Sequence, residues 1–185
     1  MPERASRSGS ARLRQFIEMV EFSLASIEEV PTEAAVPAAL ARWCVARGVP
    51  NEAVLPGANR LRALDWPGAG MTVAARLVRS GDAVAIALAD GGIAETGTLA
   101  LRSGPESPST SNFLPEHHVV MVQASRIHAG YEDYWAALRS ETESLPRTVN
   151  WITGPSRSGD IELRMHLGAH GPLSVHVLLV HDAPG

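Results

Sequence analysis

Three short apolar runs set the terms for any fold this chain can adopt: "AVAIALA" (83–89), "HHVVMVQ" (117–123) and "LSVHVLLV" (173–180). Each carries apolar residues at both odd and even positions, so neither face of an extended segment would be fit for water. Such runs suit strands covered on both sides, as in a mainly parallel sheet flanked by helices. Leu13, Phe16, Ile17, Val20, Leu24 and Ile27 recur at three- and four-residue intervals, predicting an amphipathic helix that ends at Pro31. A second helix is predicted from Pro37 to Arg47, with Leu40, Trp43 and Cys44 on one face and Gly48 and Pro50 as stop signals. "MTVAARLVRS" (71–80) predicts a third helix and "YEDYWAALRSETE" (131–143) a fourth, while "GIAETGTLAL" (92–101) and "TVNWITG" (148–154) read as further strands. Strands alternating with helices indicate an α/β domain joined by right-handed crossovers.

The 185 residues are one domain's worth, and 45% hydrophobic with 19% charged residues is ordinary globular composition. Residues 1–10 hold Arg, Ser and Gly with little to bury and read as a mobile tail. The expected organisation is tail and N-terminal helix over 1–30, then a single α/β domain over 31–185. A net charge of −4 offers no basic field for a phosphodiester backbone, and no nucleic-acid-binding motif offsets it. All 16 basic residues are Arg. The absence of Lys excludes a Schiff-base lysine and a Walker-A lysine, so a side chain that grips an anion must be Arg, His or a hydroxyl. The single cysteine, Cys44, can form no internal disulfide and reads as a small buried hydrophobe. No leader-like apolar region opens the chain and no later segment reaches the roughly 18 apolar residues that span a bilayer, so a cytoplasmic protein is expected.

Two Gly-rich turns near the C-terminus carry the most chemistry. After "VNWIT", the loop Gly154, Pro155, Ser156, Arg157, Ser158, Gly159 leads into Asp160 and the helix-compatible "IELRMH". A helix beginning near Ser158 would aim free N–H groups at this loop, and Arg157 would grip a carboxylate or phosphate beside them; the plainer alternative is that Ser158 caps the helix and Arg157 is solvated. The second turn, "GAHGP", brings His170 and Gly171. In "GIAETGTLAL", Glu95, Thr96 and Thr98 interrupt an apolar run with Gly97 between them. A carboxylate there either meets an Arg partner or lines a cavity, where Glu95 would be a candidate for acid/base work. Glu162, His166 and His170 have the i, i+4, i+8 spacing of a helical ligand stripe, but Gly168 and Gly171 break the helix it needs, and no native metal site is expected. His117 and His118 should point to opposite faces of their strand.

In that order and at those separations, "GIAETGTLAL", "LPEHHVVMV", "ITGPSRSGDIE" and "LGAHGPLSVHVLLV" resemble the lactate utilisation protein C family, also called the LUD domain, over roughly residues 80–182. The resemblance implies the Rossmann-like α/β fold of ribose-phosphate isomerases, glucosamine-phosphate deaminases and CoA transferases, here with an N-terminal helical extension. It implies a cluster-free component of a system oxidising L-lactate to pyruvate, with iron–sulfur clusters carried by partner subunits. It also implies a pocket for a small anionic ligand lined by Glu95, Thr96 and Gly97, by Gly154 to Asp160, and by His170 and Gly171. One departure stands out: Ala87-Leu88 occupies the place where relatives carry Thr-Gly, which removes a polar contact at that strand end. A free-standing enzyme acting on a sugar phosphate or acyl-CoA through Glu95, and a non-catalytic ligand-binding module, are the alternatives. A homodimer packed through the N-terminal arm is a further expectation.

Overall fold

The three apolar runs become the central strands of an all-parallel sheet in the computed structural model, which describes residues 9–57, 59–104, 107–158, 166–167 and 170–181. In chain order the elements are α1 (Gly9–Phe22), β1 (Ser26–Val30), α2 (Val36–Arg47), β2 (Glu52–Val54), α3 (Asn59–Arg62), β3 (Thr72–Ala74), β4 (Val84–Leu88), β5 (Gly91–Ile93), β6 (Thr98–Arg102), β7 (His117–Gln123), β8 (Ile127–His128), α4 (Tyr131–Glu141), β9 (Val149–Ile152), β10 (Arg157–Ser158), β11 (His166–Leu167) and β12 (Ser174–Val180). The main sheet has the order β1-β12-β7-β4-β2-β3, with every pairing parallel. The predicted α/β class, with its mainly parallel sheet, is what forms.

Burial on both faces follows from residue parity. Val119, Met121, Leu178 and Val180 pack with Leu40, Trp43 and Cys44 of α2. Their neighbours Val120, Val122, Val177 and Leu179 pack with Phe16 and Val20 of α1 and with Leu99, Leu101 and Ile127 of a second sheet. That sheet, ordered β8-β5-β6-β9, is parallel between β5 and β8 and antiparallel elsewhere, and α4 covers it through Tyr134 and Leu138. No helix among the described residues is long and apolar enough to cross a membrane.

Several local expectations are corrected. The first helix stops at Phe22, and Ile27 belongs to β1, an edge strand bonded only to β12. Between them Leu24 takes a left-handed φ of 67°, a conformation costing a non-glycine residue about 1–2 kcal/mol, so the helical spacing of Leu24 and Ile27 is coincidental. The segment 71–80 is not a helix: Thr72–Ala74 pair with β2. The loop after them is tethered by Arg76, whose guanidinium bonds both Asp82 oxygens at 2.6 and 2.8 Å and, by that hydrogen bond first, holds the Asp82 carboxyl below its ordinary range. "GIAETGTLAL" is not one strand but the hairpin β5–β6, turned at residues 94–97. Of the expected tail, Gly9 and Ser10 open α1 and residues 1–8 lie outside the described ones.

Two turns close against the last turn of α1. A Cβ on Gly97 (φ 66°) would lie 2.4 Å from backbone atoms of Met19 and Val20, and one on Gly154 (φ 70°) would lie 2.1 Å from the Ser23 carbonyl oxygen. Only glycine permits either approach. The histidines of β7 split between faces as predicted: His117 meets Trp43 edge-on, whereas His118 is fully buried. Cys44 is a core residue whose thiol burial pushes up to about 11.

Two outcomes follow from this packing. Gly154→Ala should destabilise the fold by about 2–4 kcal/mol, the sum of left-handed strain and backbone overpacking, read as a lower denaturation midpoint. Burial pushes His118 and His176 down to about 4, with the positive charge of Arg47 a lesser cause at His176. The unfolded chain protonates both near 6.5 and so binds more protons between pH 6.5 and 4; stability should be full above that window and fall as the pH drops through it. His118→Leu should flatten that slope by about one proton in urea titrations across the window.

Candidate functional site

The loop after β9 does not leave a strand of the parallel sheet. β9 is an antiparallel edge of the second sheet, bonded to β6, so the rule that ligands gather at the carboxyl ends of parallel strands does not apply to it. Arg157–Ser158 form β10, paired antiparallel with His166–Leu167, and the segment in which a helix was expected after Ser158 lies outside the described residues. Arg157 is exposed and makes no ion pair among the described residues. Gly159, Asp160 and Glu162 lie outside the described residues, so the cradle and the Glu162–His166–His170 stripe are not formed by anything described.

The two Gly-rich turns nevertheless meet. The Ser156 N–H donates to the Pro172 carbonyl at 3.0 Å, and a Cβ on Gly171 would touch the Ser156 side chain at 3.1 Å. Between them lies a cavity of about 220 Å³ whose walls include Gly154, Pro155, Ser156, His170 and Gly171, as expected from sequence, together with Trp151, Ile152, Pro172 and Val175. One wall was not anticipated. Asn112, the last residue of a 3-10 turn over Ser109–Asn112, lines this cavity, is 1% exposed, and its Nδ2 has no hydrogen-bond partner among the described residues. The neighbouring Ser111 Oγ is likewise buried and without a partner among the described residues. Buried donors in folded proteins are nearly always satisfied, which makes this amide notable among the residues of the wall. In the sequence this asparagine sits in the polar segment "SPSTSNF", with no periodicity or motif to single it out.

Glu95, Thr96 and Gly97 do not line this cavity. They form the β5–β6 turn seated on α1, where the half-buried Glu95 has no ion pair among the described residues and its N–H donates to the Ala129 carbonyl at 3.1 Å. Thr96 joins a chain of hydroxyls: Thr96 to Thr98 at 2.7 Å, both to Tyr131 at 3.1 and 3.0 Å, and Thr98 to Thr153 at 2.7 Å. Thr153 is a cavity wall, so the hairpin turn is coupled to the site through hydroxyls rather than through the Glu95 carboxylate. No group of three or more His, Cys, Asp or Glu side chains suited to a metal ion occurs among the described residues.

A larger cavity, about 710 Å³, opens where β4 and β7 end. Both strands run on into the second sheet, β4 through Ala89 and Asp90 into β5, and β7 through residues 124–126 into β8. Asp90 ties the junction. Its side chain is 8% exposed and is ion-paired with Arg102 and, at 3.5 Å, with Arg126, while the Tyr134 hydroxyl donates to it at 2.9 Å. Burial first, then the Asp90 charge, pushes the Tyr134 phenol up, keeping it a donor. Arg126 also donates to the Asp90 carbonyl at 2.9 Å and pairs with Glu141. Leu88, half of the Ala87-Leu88 pair singled out in the sequence, is part of this wall.

The model of the LUD domain family matches residues 13–180. A Lactate utilization protein C of Exiguobacterium sp. is 31% identical over 121 residues, covering 64% of this chain and 53% of that protein. Its counterpart in Geobacillus sp. is 34% identical over 102 residues, covering 54% and 42%. The chain thus spans about half the length of the curated relatives it matches. The crystal structure of a DUF162 family protein from Deinococcus radiodurans, 22% identical, superposes with a TM-score of 0.66 over 94% of this chain and 99% of that one, and shares the fold.

The Asp90 junction yields its own expectation. Asp90→Asn leaves Arg102 and Arg126 without their common counter-charge and should cost about 3 kcal/mol, the scale for breaking a buried ion pair, whereas Tyr134→Phe should cost about 1 kcal/mol; urea unfolding of the two variants measures both.

Proposed function

The chain belongs to the LUD domain family, and on that footing we propose that it is the cluster-free component of a lactate-utilisation system, holding a small carboxylate in the cavity between its two Gly-rich turns. Its likeness to proteins named Lactate utilization protein C supports the pathway. The ligand is supported by one observation above the rest: Asn112, a residue of the cavity wall, is buried, and its side-chain amide nitrogen has no hydrogen-bond partner among the described residues. A carboxylate oxygen is the acceptor that amide lacks. Ser156 and His170 bring further polar groups to the same walls, and Trp151, Ile152 and Pro172 provide an apolar side for a methyl group. Charge-assisted bonds of this kind contribute roughly 1.5–3 kcal/mol each, and satisfying a buried orphan removes a cost of about 1–3 kcal/mol. A volume of about 220 Å³ suits a three-carbon acid of lactate or pyruvate size.

In this reading the chain binds and positions and does not carry electrons. A single buried Cys44 cannot hold a cluster that needs several thiolates. The two electrons released when lactate becomes pyruvate leave through iron–sulfur partner subunits, in the cytoplasm, while this chain keeps the three-carbon acid out of water.

L-lactate or pyruvate should raise the thermal midpoint of the wild-type protein, and Asn112→Ala should weaken that response by about tenfold or more in Kd. A strain lacking the gene should lose growth on L-lactate and regain it with the wild-type gene but not with the Asn112→Ala gene. Equal ligand response in Asn112→Ala, or undiminished growth of the deletion strain, would contradict the proposal.

A further inference from the structure

The large cavity at the ends of β4 and β7 has walls of another chemistry, and we propose that it binds a phosphate-bearing ligand through Arg102. Location is the first ground. The cavity lies at the carboxyl ends of two adjacent parallel strands, walled in part by the connections that carry both strands on into the second sheet, through Ala89, Asp90 and Arg126.

The second ground is which groups are already committed. Arg60 is paired with Glu33 and donates to Gln123 at 3.4 Å, and Arg126 is shared between Glu141 and Asp90. Arg102 is different. Its ion pair with Asp90 engages Nη2, and its Nε and Nη1 have no partner among the described residues. The buried Asp90 therefore fixes one edge of the guanidinium and leaves the other two donors available at the cavity wall. Ser103, next in the chain, accepts the Thr148 N–H at 3.0 Å through Oγ, and that hydroxyl retains its own proton to donate. Ser107 lines the same wall, held beside Gly104 by a pair of backbone hydrogen bonds at 3.1 and 3.0 Å.

These donors point to phosphate over carboxylate. A carboxylate offers two oxygens in a plane, which the turn cavity with its neutral donors is built to satisfy. A phosphate group offers three terminal oxygens arranged tetrahedrally, enough to take the free edge of a guanidinium and two hydroxyls together. At about 710 Å³ the cavity also exceeds what a three-carbon acid could fill, leaving room for an organic body along Leu88 and Ala89. These observations are independent of the carboxylate site.

Inorganic phosphate and pyrophosphate serve as probes, read by broadening of their phosphorus NMR signals and by thermal midpoint. Wild-type protein should broaden and be stabilised by pyrophosphate in the millimolar range. Arg102→Gln should weaken this about tenfold or more, and Ser103→Ala, which keeps the ion pair and stays informative if the first variant folds poorly, about three- to fivefold. Arg14→Gln, on the exposed face of α1, should bind as the wild type does. The proposal is overturned if the wild type responds to neither probe, or if Arg102→Gln and Ser103→Ala bind as tightly as the wild type. The response of the same variants to pyruvate reports on the turn cavity separately, so the two sites can fail independently.

Discussion

The contact on which the rest of this structure leans is backbone against backbone: the last turn of α1 lying directly on the glycines of two turns. Phe16 and Val20 fill the space between the parallel sheet and the second sheet, so α1 is a layer of the core and not an appendage. With α1 in that place, Met19 and Val20 leave no room for a side chain at Gly97, and the Ser23 carbonyl leaves none at Gly154. The β5–β6 turn and the turn after β9 are thereby fixed against the same helix. The second of these delivers Ser156 to the Pro172 carbonyl and so walls the small cavity.

A second constraint operates at the other end of β4. A carboxylate as buried as Asp90 persists because two guanidiniums and a phenol surround it, and the same arrangement fastens the parallel sheet to the hairpin sheet. The two cavities then divide by chemistry. One is small, with neutral donors and apolar walls beside an orphaned amide. The other is larger, walled by three arginines, of which Arg102 keeps free donors because Asp90 fixes only one edge of its guanidinium.

What was legible in the sequence was what short-range periodicity and burial control. The runs that became β4, β7 and β12 announced themselves because both faces are covered, and α2 because its apolar face and its stop signals agree. β1 was hidden: "SIEEV" is an edge strand with two glutamates, and the helical spacing of Leu24 and Ile27 masked a left-handed residue between two elements. The site was half legible. That "GPS" and "AHG" share a cavity was carried by the family resemblance, whereas nothing in "VNWIT" showed that β9 would be an antiparallel edge. Gly97 and Gly154 invited a ligand-cradle reading although the packing of α1 alone requires them to be glycine. Asn112, Asp90 and Arg102 gain their meaning only from groups that the fold brings from elsewhere in the chain.

The most direct test of the central claim, that the small cavity between the two Gly-rich turns is the carboxylate site, is to follow the side-chain amide resonances of Asn112 in nitrogen-15 NMR spectra during titration with L-lactate. Saturable shifts of those signals and of the Gly171 backbone amide, with the Arg102 side-chain signals unmoved, are predicted. Unmoved Asn112 signals, or shifts confined to Arg102 and Ser103, would contradict it.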